Sequence, residues 1–66
     1  MRIYINNQEV IFEEGITLDE VMTKYNPHSK GMAAAINNKV VSRSDWRHTM
    51  LRDGDRVIII SAVCGG

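Results

Sequence analysis

The residues that could do chemistry are gathered at one end of the chain, Cys64-Gly65-Gly66. Without a Cβ, a glycine pair is thin and enters narrow channels at backbone angles other residues avoid. Two readings fit such a pair, a frayed terminus or a terminus shaped to enter another protein's active site. In the second reading the reactive group is the carboxylate of Gly66, with Gly65 giving access. That carboxylate is ionised at neutral pH, since α-carboxyl groups titrate near about pH 3.5. It is a poor electrophile until activated as an acyl-adenylate or thioester, and activation needs ATP held in line with it. No Gly-rich phosphate loop is written in this sequence. The chain is therefore expected to be the substrate of activation rather than the catalyst.

Cys64 is the one ambiguous group. It reads first as an exposed tail residue with an ordinary thiol. The sharper reading puts its sulfur beside the activated acyl group, where it could trap that group or form a mixed disulfide. His28 and His48 have no Asp or Cys at metal-ligand spacing and read as loop or surface residues. With a single cysteine, neither an internal disulfide nor a multi-cysteine metal site is possible. No bound cofactor and no metal are expected.

These end groups need a platform, and the rest of the chain describes one. Ile3 and Ile5 alternate with Arg2 and Tyr4, which predicts a strand over Met1 to Ile5. Asn6-Asn7 suits a hairpin turn that needs positive φ, and Val10 and Phe12 repeat the alternation up to Glu13-Glu14-Gly15. Thr17-Leu18-Asp19-Glu20 spells a capping box. Leu18, Val21, Met22 and Tyr25 then follow at helical spacing, and Pro27 blocks continuation. Met32 to Ile36 is short and lies between Gly31 and Asn37-Asn38. Despite three alanines it reads as a strand whose small side chains admit a helix. Val40-Val41 returns, Ser44-Asp45-Trp46 reads as a capped single turn, and Asp53-Gly54-Asp55 as a turn. Val57 to Val63 is the closing strand. Trp46 is expected to cap the small core, and the methionines beyond Met1 to fill it.

The order β-β-α-β-β-turn-β implies an α+β fold, a mixed sheet of four to five strands with one helix across one face. The helical crossover lets the last strand pair in parallel with the first. Residues 1–62 are expected to form the domain and 63–66 a flexible tail. The closing strand breaks the alternation of a one-sided sheet. Either it is buried on both faces or its second face is an exposed apolar patch that marks a protein partner. With one good helix to cover the sheet, the patch is favoured. Val57 and Ile59 then belong to the core, and Ile58, Ile60 and Tyr4 to the partner interface.

Bulk properties narrow the classes. Sixty-six residues make one domain with little room for a deep pocket. Eight basic and eight acidic residues cancel. Residues 1–33 hold three basic and five acidic residues, residues 34–66 five and three. That is too mild an asymmetry for a nucleic-acid footprint. The four arginines Arg43, Arg47, Arg52 and Arg56 read as solvated or paired, with one or two at the rim of an interface. The apolar runs are too short to span a bilayer. A lone cysteine and no visible export signal point to a reducing cytoplasm.

The ordered set Ala35-Ile36-Asn37-Asn38-Lys39-Val40-Val41, Arg43, Trp46, Leu51-Arg52-Asp53-Gly54-Asp55 and Gly65-Gly66 resembles the thiamine-biosynthesis sulfur carrier (ThiS) family. The N-terminal hairpin and the Thr17–Glu20 helix start fit as well, so the resemblance covers the whole chain. It implies a β-grasp, ubiquitin-like fold and a cycle of activation. An E1-like adenylyltransferase of the ThiF type would adenylate Gly66 with ATP and magnesium. A cysteine desulfurase, or a sulfur relay protein, would supply the sulfur of a thiocarboxylate. A thiazole synthase of the ThiG type would then take that sulfur into the thiazole of thiamine. Ser42 stands where the family often has proline, and Cys64 where it usually has an apolar or small residue. The alternatives with the same fold are a carrier for molybdopterin or another pathway, and a ubiquitin-like modifier of lysines. An interaction module with an inert tail is the remaining reading.

Overall fold

The computed structural model describes residues 1–25 and 31–61. Its elements are β1 (Arg2–Ile5), β2 (Gln8–Ile11), α1 (Leu18–Tyr25), β3 (Met32–Ile36), β4 (Lys39–Val41), a 3-10 helix (Arg43–His48) and β5 (Arg56–Ser61). The five strands form one sheet in the order β2-β1-β5-β3-β4. β5 is parallel to β1 and antiparallel to β3, and each hairpin is antiparallel. This is the β-grasp arrangement: two hairpins flank a late central strand, and the crossover between them carries the helix.

Both hairpins turn on Asn-Asn pairs. Asn6 and Asn7 have φ of 48° and 69°, and Asn37 and Asn38 have 49° and 70°. Asparagine tolerates this left-handed region better than other residues with a Cβ, and successive positive φ values twist the turn to match its strands. The capping box forms as expected. The Glu20 amide donates to Thr17 Oγ1 at 3.2 Å, and the Thr17 amide donates to Glu20 Oε1 at 3.0 Å. Backbone bonds from Leu18 to the Thr49 carbonyl (2.8 Å) and from Leu51 to the Ile16 carbonyl (3.0 Å) tie the helix start to the last loop.

The core lies between α1 and one sheet face. Leu18, Val21 and Met22 from the helix, Ile3, Ile5, Ala34, Val57 and Ile59 from the sheet, and Ile16, Trp46 and Leu51 form one buried cluster. Ala34, the central alanine of β3, is buried, as the small-residue reading of that strand requires.

Three expectations are corrected. The single turn at Ser44 is a longer 3-10 helix, Arg43–His48, preceded by Ser42, whose side chain makes no cap bond. Ser42 Oγ instead donates to Asp45 Oδ2 at 3.2 Å. Trp46 is one of the largest fully buried side chains rather than a lid, because its Nε1 finds the Val41 carbonyl at 3.0 Å and the whole indole can enter. Met50 does not fill the core: it is 63% exposed. It pairs with Thr17 in an isolated antiparallel bridge. β5 is seen through Ser61, and the expected continuation to Val63 lies outside the described residues, as do Pro27, His28 and the boundary drawn at residue 62.

Candidate functional site

Cross-strand partners share a face of a sheet, so the register shows what lies opposite the helix. On β5, Val57 and Ile59 point into the core, while Ile58 is half-buried and Ile60 is 54% exposed. Ile60 pairs with Ala33, and Ile58 with Ala35, which pairs in turn with Val40. Val40 is exposed. Tyr4 pairs with Arg56 on one side and Glu9 on the other, and Arg2 with Ile11. No helix covers this face among the described residues. It carries an apolar band of Ile58, Ile60, Ala33, Ala35 and Val40, with Arg2, Tyr4, Arg56 and Glu9 beside it.

Tyr4 is half-buried, and the Arg56 guanidinium lies over its ring at 4.9 Å. That stack covers the ring and leaves a cation on the face. Arg2 pairs with Glu9 at 3.4 Å on exposed side chains, an arrangement worth little energy in water. The alanines and Val40 are the members that sequence reading misses. The run Met32 to Ile36 is apolar throughout and does not mark which alanines face outward; that becomes readable only once β3 is known to neighbour β5. Residues 62–66, which include Cys64, Gly65 and Gly66 and the whole expected tail 63–66, lie outside the described residues.

A depression of about 260 Å³ is lined by Glu13, Glu14, Gly15, Ile16 and Glu20. Its three carboxylates repel nucleotide phosphates. Among the described residues no three metal-ligating side chains come together, and His48 is exposed. No helix among them is long and apolar enough to cross a membrane.

Comparison with known proteins decides the family. The ThiS family model matches residues 1–66. This chain belongs to the ThiS family. It is 30% identical over 66 residues to the sulfur carrier protein ThiS of Escherichia coli K12, covering all of both chains. It is also 26% identical to a thiazole synthase of Paramagnetospirillum magneticum, of which it spans 20% while itself aligning in full. The crystal structure of a thiamine biosynthesis protein (ThiS) from Geobacter metallireducens superposes over all of both chains with a TM-score of 0.86 at 20% identity. A solution structure of a thiamine biosynthesis protein from the same organism gives 0.79 at 22% identity and 88% coverage of that chain. At those identities the structures speak for the fold, the β-grasp expected from the sequence.

Proposed function

We propose that this protein is the sulfur carrier for thiazole formation in thiamine biosynthesis, with the Gly66 carboxylate as the carrying group. The observation that supports it most is the family match over residues 1–66, which takes in Gly65 and Gly66. The end-to-end alignment with a sulfur carrier protein agrees with it. The thiazole synthase whose sequence contains a ThiS-like fifth supports that enzyme as the receiving partner.

The chemistry runs in three displacements. A Gly66 carboxylate oxygen attacks the α-phosphorus of magnesium-bound ATP on an adenylyltransferase, forming the acyl-adenylate and releasing pyrophosphate. The outer sulfur of a persulfide on a cysteine desulfurase or relay protein then attacks the acyl carbon, and AMP leaves, giving an acyl disulfide. A second thiol, from the donor or from an added dithiol, attacks the donor's sulfur; the thiocarboxylate is the leaving group and the donor is left as a disulfide. The thiocarboxylate is nucleophilic at sulfur and stays tethered to the protein, so free sulfide is not released. This chain supplies the carboxylate and the docking face, and the partner enzymes supply nucleotide binding and catalysis.

The test is intact-mass analysis after incubation with the adenylyltransferase, ATP, magnesium, a desulfurase with cysteine, and a dithiol reductant. The expected product is heavier by the exchange of one oxygen for sulfur. Deleting Gly66 should abolish the gain while leaving the circular dichroism spectrum unchanged. A Gly66-deleted chain that still gains sulfur refutes the assignment.

A further inference from the structure

β5 lies between β1 and β3, but its two neighbours do not accompany it equally far. On the β3 side the ladder runs through Ser61, with Ala34–Ile59, Ala33–Ile60 and Met32–Ser61 in register. On the β1 side the ladder stops at the pair Ile5–Val57, because β1 turns away into its hairpin at Asn6. Asn6 then does two things. Its backbone amide donates to the Val57 carbonyl at 2.9 Å, the last main-chain bond between the two segments. Its side-chain amide stands in for the missing next peptide: Oδ1 accepts from the Ile59 amide at 2.8 Å, and Nδ2 reaches the Ile59 carbonyl at 3.4 Å. The asparagine extends the ladder by one repeat past the end of its own strand.

We infer that Asn6 is a positioning residue for Gly66. It holds β5 at Ile59 on the side where β1 no longer accompanies it, and so braces the end of the strand that leads to Gly66. The inference rests on the sulfur-carrier reading. A partner that grips the sheet face fixes the domain, and the chance that Gly66 sits in line with ATP then depends on how narrowly the departing chain is aimed. Releasing Ile59 on one side widens that aim without altering the face itself.

The second hairpin provides an internal control. Asn37 occupies the same turn position as Asn6, and its Oδ1 accepts from the Arg56 amide at 3.1 Å. That hold is at the incoming end of β5, where Arg56 also pairs with Tyr4 of β1. Both asparagines brace the strand, but only Asn6 braces the end that leads to Gly66.

The experiment compares Asn6→Gly, Asn37→Gly and Asn6→Asp with the wild-type chain. Glycine accepts the positive φ of the turn, so each Gly variant removes the brace and keeps the hairpin. Pyrophosphate release by the adenylyltransferase gives kcat and KM for each chain, and amide hydrogen exchange reports on Ile59. For Asn6→Gly, faster exchange at Ile59 is expected, with a fall in kcat of about five- to tenfold, the scale of one lost hydrogen bond, and an unchanged KM. Asn6→Asp keeps the acceptor for the Ile59 amide and should recover most of that loss. Asn37→Gly should keep the wild-type kcat. If Asn37→Gly lowers kcat as much as Asn6→Gly, or if Asn6→Gly turns over like wild type, the positioning role is overturned and the carrier reading stands. If the wild-type chain releases no pyrophosphate, the carrier reading falls and this inference with it.

Discussion

Ile59 and Ile60 are neighbours on one strand, and the structure gives the same substitution opposite outcomes at the two positions. Ile59 is 8% exposed and belongs to the core. Placing a carboxylate there loses roughly 2–3 kcal/mol of apolar burial and adds several more for a charge without a partner. A domain of this length has only about 3–10 kcal/mol in total, so Ile59→Asp should leave the chain unfolded at 25 °C. Ile60 is 54% exposed. About half its burial is at stake, near 1 kcal/mol, and poor strand propensity adds up to about 1 kcal/mol more. Ile60→Asp should therefore fold, with a urea midpoint lowered by about 1–2 kcal/mol divided by the m-value. On docking, the aspartate would be pressed into an apolar contact. A central interface position costs about 2 kcal/mol or more when disrupted, so KM for the adenylyltransferase should rise about thirtyfold or more while kcat at saturation holds. The assay is urea denaturation followed by circular dichroism, paired with steady-state pyrophosphate release. A folded Ile60→Asp chain with wild-type KM would refute the assignment of this face to docking.

Further outcomes follow from other contacts. Trp46→Ala removes a side chain that is 1% exposed. It should cost about 3–5 kcal/mol, most of the total stability, seen as loss of a cooperative thermal transition. Thr17→Ala removes the acceptor for the Glu20 amide. It should cost about 1 kcal/mol, and calorimetry should show Tm lower by about 4–8 °C.

Local order was largely legible in the sequence, because local rules wrote it. The capping box marks the start of α1, and the two Asn-Asn pairs mark the hairpin turns through the one conformational property that sets asparagine apart. Met32 to Ile36 was readable as a strand from its length and flanks against its alanine propensity. The 3-10 helix was harder to read. Arg43–His48 holds one apolar residue, Trp46, and one residue makes no periodicity. The depth of Trp46 depends on a carbonyl offered by Val41, which no spacing rule indicates. The site shows the same division. The inside-outside alternation of Val57 to Ile60 was readable from the strand itself, and the structure agrees with it. The contributions of Ala33, Ala35 and Val40 depend on which strands are neighbours. The link between Asn6 and Ile59 joins residues 53 apart in sequence, a separation at which no pattern in one chain announces a hydrogen bond.

The position of β5 also has a consequence for the order in which this protein is made. Both hairpins leave the ribosome before the strand that belongs between them. Until β5 emerges, β1 and β3 each face the other with a row of unsatisfied amides and carbonyls, the kind of edge that recruits strands from other chains. The domain therefore closes only when this strand arrives, and its contacts are long-range on both sides, parallel to β1 and antiparallel to β3. A nascent chain interrupted before residue 56 has two hairpins and a helix but no sheet to join them. The segment that leads to Gly66 is the same one that completes the fold, so an incompletely folded chain has no platform from which to offer its terminus.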